Sequence, residues 1–402
     1  MLERIKPIFF TALLAGVVLA AHQAGAPAMA DSGADHQTEQ SGAILMGTTA
    51  GNINDFGTDG TYVYCCGGTA GSLVTDGSKY YILSNNHVLA RINEPPPFTA
   101  AFLTDYTYEN TTHPGLIDQD NSDGDSVCTQ DEGDTVAHLS GYVPIDFNGG
   151  DNTVDAAMAE TVSGAVDTSG EILDIGVPDY EPALATVDMR VTKSGRTTGQ
   201  TFGKVVAVDV TVNVGYTAEC GSTDFMVARF VNQIRIQGTG KGRNKNFSAG
   251  GDSGSLIVTD DGEYRPVGLL FAGGRSDTFA NPFDAVLTEL GGVTLVGRDN
   301  PAPTGEEPPT DDGKGPPPGK GKKSKSVPAG LGIASEVKAR HENRLFEIPG
   351  VVGTGVSLDD DGNPVIEVYV ERAARATPAR PIPKELDGVP VRVIETGPVR
   401  AY

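Results

Sequence analysis

Residues 247–258 read FSAGGDSGSLIV. Glycine, aspartate and serine crowd into a few positions before the chain turns apolar and β-branched. Such residues make a tight turn. They also suit a serine nucleophile, Ser253, on a bent loop, because glycines let backbone amides approach a substrate carbonyl where an oxyanion develops. A serine hydroxyl is a weak nucleophile until a base takes its proton, and histidine is the usual base. Of the six histidines, His22 lies in an N-terminal leader, His36 in a polar segment, His113 before a proline, His138 in a β-like run and His341 in a helical stretch near the end. His87 differs. It follows the apolar run YYILS and the small polar pair Asn85-Asn86, where a strand opens into a loop and offers a side chain to a cleft. A base of this kind needs a carboxylate to fix its tautomer and stabilise the imidazolium. Asp155, in the Ala-rich run TVDAAMAE, is the candidate, since a carboxylate in apolar surroundings is costly unless partnered.

These residues must be held by a scaffold. The chain has 402 residues, 52 glycines, no tryptophan and a net charge of −23. The length accommodates two domains. The charge argues against nucleic acid or an anionic membrane surface as a partner. Short β-type runs separated by turns dominate: GSLVTDGSKYYILSNNHVL and SLIVTDDGEYRPVGLLFAGG both read strand, turn, strand. FDAVLTELGG reads as a short helix, and the whole as an all-β barrel or sandwich.

The ends of the chain read differently. Residues 1–30 carry Arg4 and Lys6, an apolar run of about 14 residues, short of the ~20 that span a bilayer, and a small-x-small ending at Ala28-Met29-Ala30. This is a signal peptide, cleaved after Ala30, so the protein is secreted with no membrane span. Residues 31–55 read as a loose polar segment, and residues 299–328, rich in Pro, Gly and Lys, as a disordered linker. Residues 329–402 read as a small α+β unit of one helix and three strands, independently folded and outside the catalytic centre. Export permits disulfides. Cys65 and Cys66 are expected to bond separately to Cys128 and Cys220, in either order. In residues 118–134, Asn121, Asp123, Asp125 and Glu132 match positions 1, 3, 5 and 12 of a calcium loop. Ser126 stands where glycine is needed, and the stretch reads as a solvated acidic loop with no metal. No cofactor is implied.

The stretches SNNHVL, VDAAMA, GGDSGSL and VTKSGRTTGQTFGKV together carry a resemblance. From about Tyr62 to Gly297 the chain resembles the chymotrypsin-like serine proteases, above all their secreted bacterial branch. GRTTG and FSAGGDSGSLIV look like the bacterial and plant trypsin-like proteins of the narrow-leaf type. The order His87, Asp155, Ser253 is that of the chymotrypsin type. The resemblance implies a trypsin-like domain at 56–298, made of two six-stranded β-barrels with the site between them. It implies His87 as base, Asp155 as its orienting partner, Ser253 as nucleophile, and the amides of Gly251 and Ser253 as oxyanion hole. It places Phe247 at the base of the specificity pocket and Gly273 on its wall, which points to small or medium apolar residues before the cut. It also pairs Lys193 with Asp252. Val88 after His87, and Thr192 and Phe202, stand where relatives carry cysteines, so the disulfide framework differs.

The reading is an exported serine endopeptidase acting on protein or peptide substrates. A non-catalytic binding protein on the same scaffold and an esterase are the alternatives, disfavoured by the complete triad and by the chain order. N-terminal sequencing of the exported protein is expected to begin at Asp31; a start within the apolar run would refute the leader assignment.

Overall fold

The computed structural model describes residues 34–37, 40, 42–52, 55–58, 63–93, 110–112, 135–218, 220, 222, 224–241, 245–274, 276–298, 329–371 and 381–402. The leader, the linker, Cys128 and the acidic loop 118–134 lie outside these residues.

Two β-barrels form the body. In the first, Thr48–Asn52, Gly68–Ala70 continued as Ser72–Thr75, Tyr80–Ser84, Ala157–Thr161, Thr135–Tyr142 and Asn110–Thr112 follow one another around a closed circuit. Leu73, Ile82, Leu83, Leu139 and Ala159 fill it. In the second, Arg190–Lys193, Leu256–Thr259, Pro266–Gly273, Asp277–Pro282, Phe225–Gly238 and Thr201–Thr217 close in the same way. The helix Phe283–Glu289 packs its Phe283 and Val286 into the first core. Among the described residues, no helix is long and apolar enough to cross a membrane.

Residues 44–52 are not the loose segment that their composition suggests. Ile44, Met46 and Ala50 are fully buried, and Thr48–Asn52 pairs with both Gly68–Ala70 and Asn110–Thr112. His36 is buried as well, with Nδ1 2.7 Å from the Gly47 carbonyl and Nε2 3.0 Å from Asp174.

Thr201–Thr217 is the strand on which the rest turns. Its inward face is carried by Gly203, Val205 and Ala207, then by Val210, Val212, Val214 and Tyr216. The switch of phase occurs at a bulge where Asp209 takes a left-handed φ of 48°, and a single extra residue reverses which side chains face inward.

The C-terminal unit is not separate from this body. The helix Ala329–Phe346 covers the hairpin Val351–Leu358 and Pro364–Glu371, with Val389–Thr396 parallel to the second of these strands. Val351–Leu358 pairs directly with Thr201–Thr217, joining Val208 to Val356 and Thr211 to Thr354, so one sheet runs through both parts. Buried charges fasten the seam. Arg235 bonds Asp277 at 2.8 Å and Glu367 at 2.7 Å, and Glu367 also takes Arg392 at 2.7 Å. Lys338 reaches the Asp209 carbonyl at 2.6 Å, at the bulge itself. Tyr369, fully buried, sits in the second barrel's core beside Val210 and Phe279. The expectation of an independent accessory unit is therefore corrected: the linker composition predicted few contacts, whereas strand addition and ion pairs supply many.

A cut within residues 299–328 should leave two pieces that co-elute in size-exclusion chromatography. Glu367→Ala, which leaves Arg235 paired with Asp277 but takes the acceptor from its Nη1 and from the buried Tyr369 hydroxyl, should lower unfolding stability by about 1–3 kcal/mol. Separation of the pieces without denaturant would show that the shared sheet does not hold them.

Candidate active site

The Tyr80–Ser84 strand ends at Asn85 and passes into a single helical turn, Asn86–Leu89, that carries His87. Buried amides fix this corner. Asn85 donates to the Asp155 carbonyl at 2.6 Å, and Asn86 donates to Asn93 and to the Val143 carbonyl at 2.7 Å. Asp155 lies just before the Ala157–Thr161 strand, which pairs with Tyr80–Ser84, so sheet register brings the two side chains together. His87 Nδ1 stands 2.6 Å from Asp155 Oδ2, and Asp155 has no solvent exposure.

Two further groups hold Asp155, one at its carboxylate and one at its backbone. The Tyr216 hydroxyl donates to Asp155 Oδ2 at 2.9 Å, and the Asp155 amide donates to Asn281 at 3.0 Å, which in turn donates to Gln233. Tyr216 belongs to no motif of the sequence. Its signal lay in the alternation Val210, Val212, Val214, Tyr216, since a tyrosine on a buried face needs a partner for its hydroxyl.

Ser253 sits on the loop between Phe247 and Leu256. Gly251 there adopts a φ of 92°, a conformation that favours glycine. The loop leans on the first barrel: the Thr69 amide donates to the Ser253 carbonyl at 2.7 Å, and a Cβ at Gly71 would strike the Gly254 carbonyl. A Cβ at Gly68 would lie 2.5 Å from Val88 and 2.8 Å from the Ser253 carbonyl, so this strand separates the nucleophile loop from the His87 turn by little more than backbone thickness. The Asp252 and Gly254 amides bond to Ala249 and Leu270. Among the described residues, the Gly251 and Ser253 amides have no such acceptor. The Ser253 hydroxyl donates to the Phe271 carbonyl at 3.2 Å.

Lys193 Nζ and Asp252 Oδ2 are 3.4 Å apart, both fully buried. Asp252 also accepts from the amides of Thr197, Thr198 and Ala249 and from the Thr198 hydroxyl. Burial pushes the Lys193 ammonium below its ordinary range, against the pull of Asp252. Cys66 and Cys220 form a disulfide, one of the two orders left open by the sequence; Cys128, which that order gives to Cys65, lies outside the described residues.

Phe247 and Gly273, the residues expected to line a specificity pocket, both lie close to Tyr402. Phe247 is buried in the second barrel's core with Val191, Val205 and Ile236, its ring against Gly203. The space along Gly273 holds the ring of Tyr402, which packs against that same core cluster. The Tyr402 hydroxyl donates to the Gly274 carbonyl at 3.0 Å, and burial pushes its pKa up to about 12. His87 Nε2 lies 3.0 Å from the Tyr402 carbonyl, which no feature of the sequence announced.

No protein-family model matches the chain, and no curated protein matches it. Among solved structures, it is similar to a glutamic-acid-specific serine protease at 19% identity and a TM-score of 0.40, covering 63% of this chain and 100% of the other. It is also similar to Thermobifida fusca protease A, at 18% identity and a TM-score of 0.36, and to Cellulomonas bogoriensis chymotrypsin, at 16% and 0.37; each covers 63% of this chain and 99% of its own. Likenesses this distant add nothing to the geometry of the site.

Burial alone pushes the His87 imidazolium toward deprotonation, but the Asp155 charge, its hydrogen bond and the Tyr402 carbonyl outweigh it and set the pKa above the ordinary 6.5. Nuclear magnetic resonance of the imidazole should find a midpoint above 6.5 in the native protein. Asp155→Asn, which leaves burial without the countercharge, should bring it below that value. An unchanged midpoint in the variant would dissociate Asp155 from His87.

Proposed function

We propose that the protein is an exported serine endopeptidase working through an acyl-enzyme. The observation that carries this reading is the buried His87–Asp155 pair at 2.6 Å, one backbone strand away from a serine loop whose amides at 251 and 253 find no acceptor among the described residues. In the reaction, the Ser253 hydroxyl attacks the substrate carbonyl carbon while neutral His87 takes its proton on Nε2. Asp155, steadied by Tyr216, stabilises the imidazolium that forms. The Gly251 and Ser253 amides receive the oxyanion. His87 then returns the proton to the leaving amine, and water repeats the sequence on the acyl-enzyme. Export is supported by the leader-like residues 1–30 and by the Cys66–Cys220 disulfide, which fits an oxidising compartment.

Ser253→Ala should fold as the parent does and lose roughly 10⁴-fold or more in peptide hydrolysis, as removal of a nucleophile does in such triads. A fluorophosphonate should label the parent at Ser253 and leave the variant unlabelled. Hydrolysis by the variant near the parental rate would place the nucleophile elsewhere.

A further inference from the structure

Residues 399–402, Val-Arg-Ala-Tyr, run into the cleft as an extended strand. Ala401 pairs with Ala272 and Arg400 with Gly273, antiparallel, along the edge that leads from the Ser253 hydroxyl's acceptor Phe271. On the other side Arg400 pairs with Gly215, and the Gly215 amide donates to the Val399 carbonyl at 3.0 Å. The segment is therefore a strand added between two existing ones. Strand addition takes affinity from the main chain and leaves selection to side-chain pockets. The side chain chosen here is Tyr402. Its ring lies where a Cβ at Gly273 would strike it, and its hydroxyl bonds to the Gly274 carbonyl.

The position of the Tyr402 carbonyl gives the register. A general base must lie within hydrogen-bond reach of the reacting groups. The carbonyl 3.0 Å from His87 Nε2 belongs to residue 402, so Tyr402 occupies the place of the residue that precedes a scissile bond. The contact also occupies the base. Nδ1 faces the Asp155 carboxylate and Nε2 faces a carbonyl oxygen, both acceptors. An Nε2 engaged with that oxygen, and not with the Ser253 hydroxyl, is not placed to take the serine proton. Ser253 is turned to Phe271, and among the described residues it makes no hydrogen bond to His87.

We propose that residues 399–402 are a built-in occupant of the acyl side of the cleft, which holds the site closed, and that the pocket it fills selects peptides with an aromatic residue before the cut. The inference rests on the protease reading for its meaning but not for its test, since occupancy is measured without chemistry. It replaces the small or medium apolar preference, because the pocket wall at Gly273 and the Gly274 carbonyl match a phenol.

The test compares the full chain, a chain shortened to end at Pro398, and full-length Tyr402→Asp, each checked for folding by circular dichroism. The second variant answers if shortening prevents folding. Fluorophosphonate labelling of Ser253 should be about tenfold faster in both variants than in the full chain, given an effective concentration near ~1 mM for a tethered segment that binds at ~0.1 mM in trans. Acetyl-Val-Arg-Ala-Tyr should slow labelling of the variants again, and acetyl-Val-Arg-Ala-Lys should not. Calorimetry of the same two peptides with shortened Ser253→Ala reads binding alone. Cleavage by the shortened chain should favour Tyr or Phe over Ala before the cut by about tenfold or more. Equal labelling of all three proteins, or no preference for the tyrosine peptide in calorimetry, overturns the inference and leaves the protease reading intact. Selective binding of the tyrosine peptide with no labelling of any form overturns the protease reading and supports the occupant.

Discussion

The structure around the site depends on one buried negative charge. Asp155 is fully buried, and an unpartnered carboxylate in such a place is costly. It stays a useful partner because His87, Tyr216 and the amide of His87 all point at its oxygens. Those groups come from distant parts of the chain. His87 arrives on a turn of the first barrel, and Tyr216 on the long strand of the second. The Asn281–Gln233 pair braces the backbone of Asp155 from a third direction. Satisfying one carboxylate thus fixes how the two barrels face each other.

Asp252 shows the same constraint with the sign balanced differently. It lies beside a buried lysine, but most of its hydrogen bonds come from backbone amides and from Thr198. Lys193 itself also donates to Thr198 and to the Gly199 carbonyl. The pair is less a lone ion pair than the centre of a polar cluster, which stiffens the loop behind Ser253.

Much of this was legible in the sequence because the signals were local. Ser253 stood among turn residues ahead of a β-branched run, His87 at the end of an apolar strand, and Asp155 in an alanine-rich stretch. Both hairpins and the helix 329–346 follow from alternation and composition. What could not be read depends on contacts between remote residues. TTAGN at 48–52 lacks an apolar period, and only its two neighbouring strands make it part of a barrel. Glu367 alternates with the apolar Ile366 and Val368 as a solvent-facing residue would, yet Arg235, 132 residues away, makes it an interior one. The Phe247 ring faces Gly203, a direction that chain order does not encode. Tyr402 and His87 are 315 residues apart, and no spacing rule reaches that far.

The Cys66–Cys220 bond closes a span of 154 residues and ties the turn beyond Thr217 to the first barrel. Thr201–Thr217 is thereby clamped at its far end by a covalent link and along its middle by the added sheet. A hinge that swings the two barrels apart would have to stretch that link and shear the sheet together. The path left open to the cleft is unzipping. The two-residue strand Arg400–Ala401 can leave its neighbours one hydrogen bond at a time while the barrels stay still. An entering peptide would then close the gap from the other end, as a branch migrates between two strands that compete for one groove.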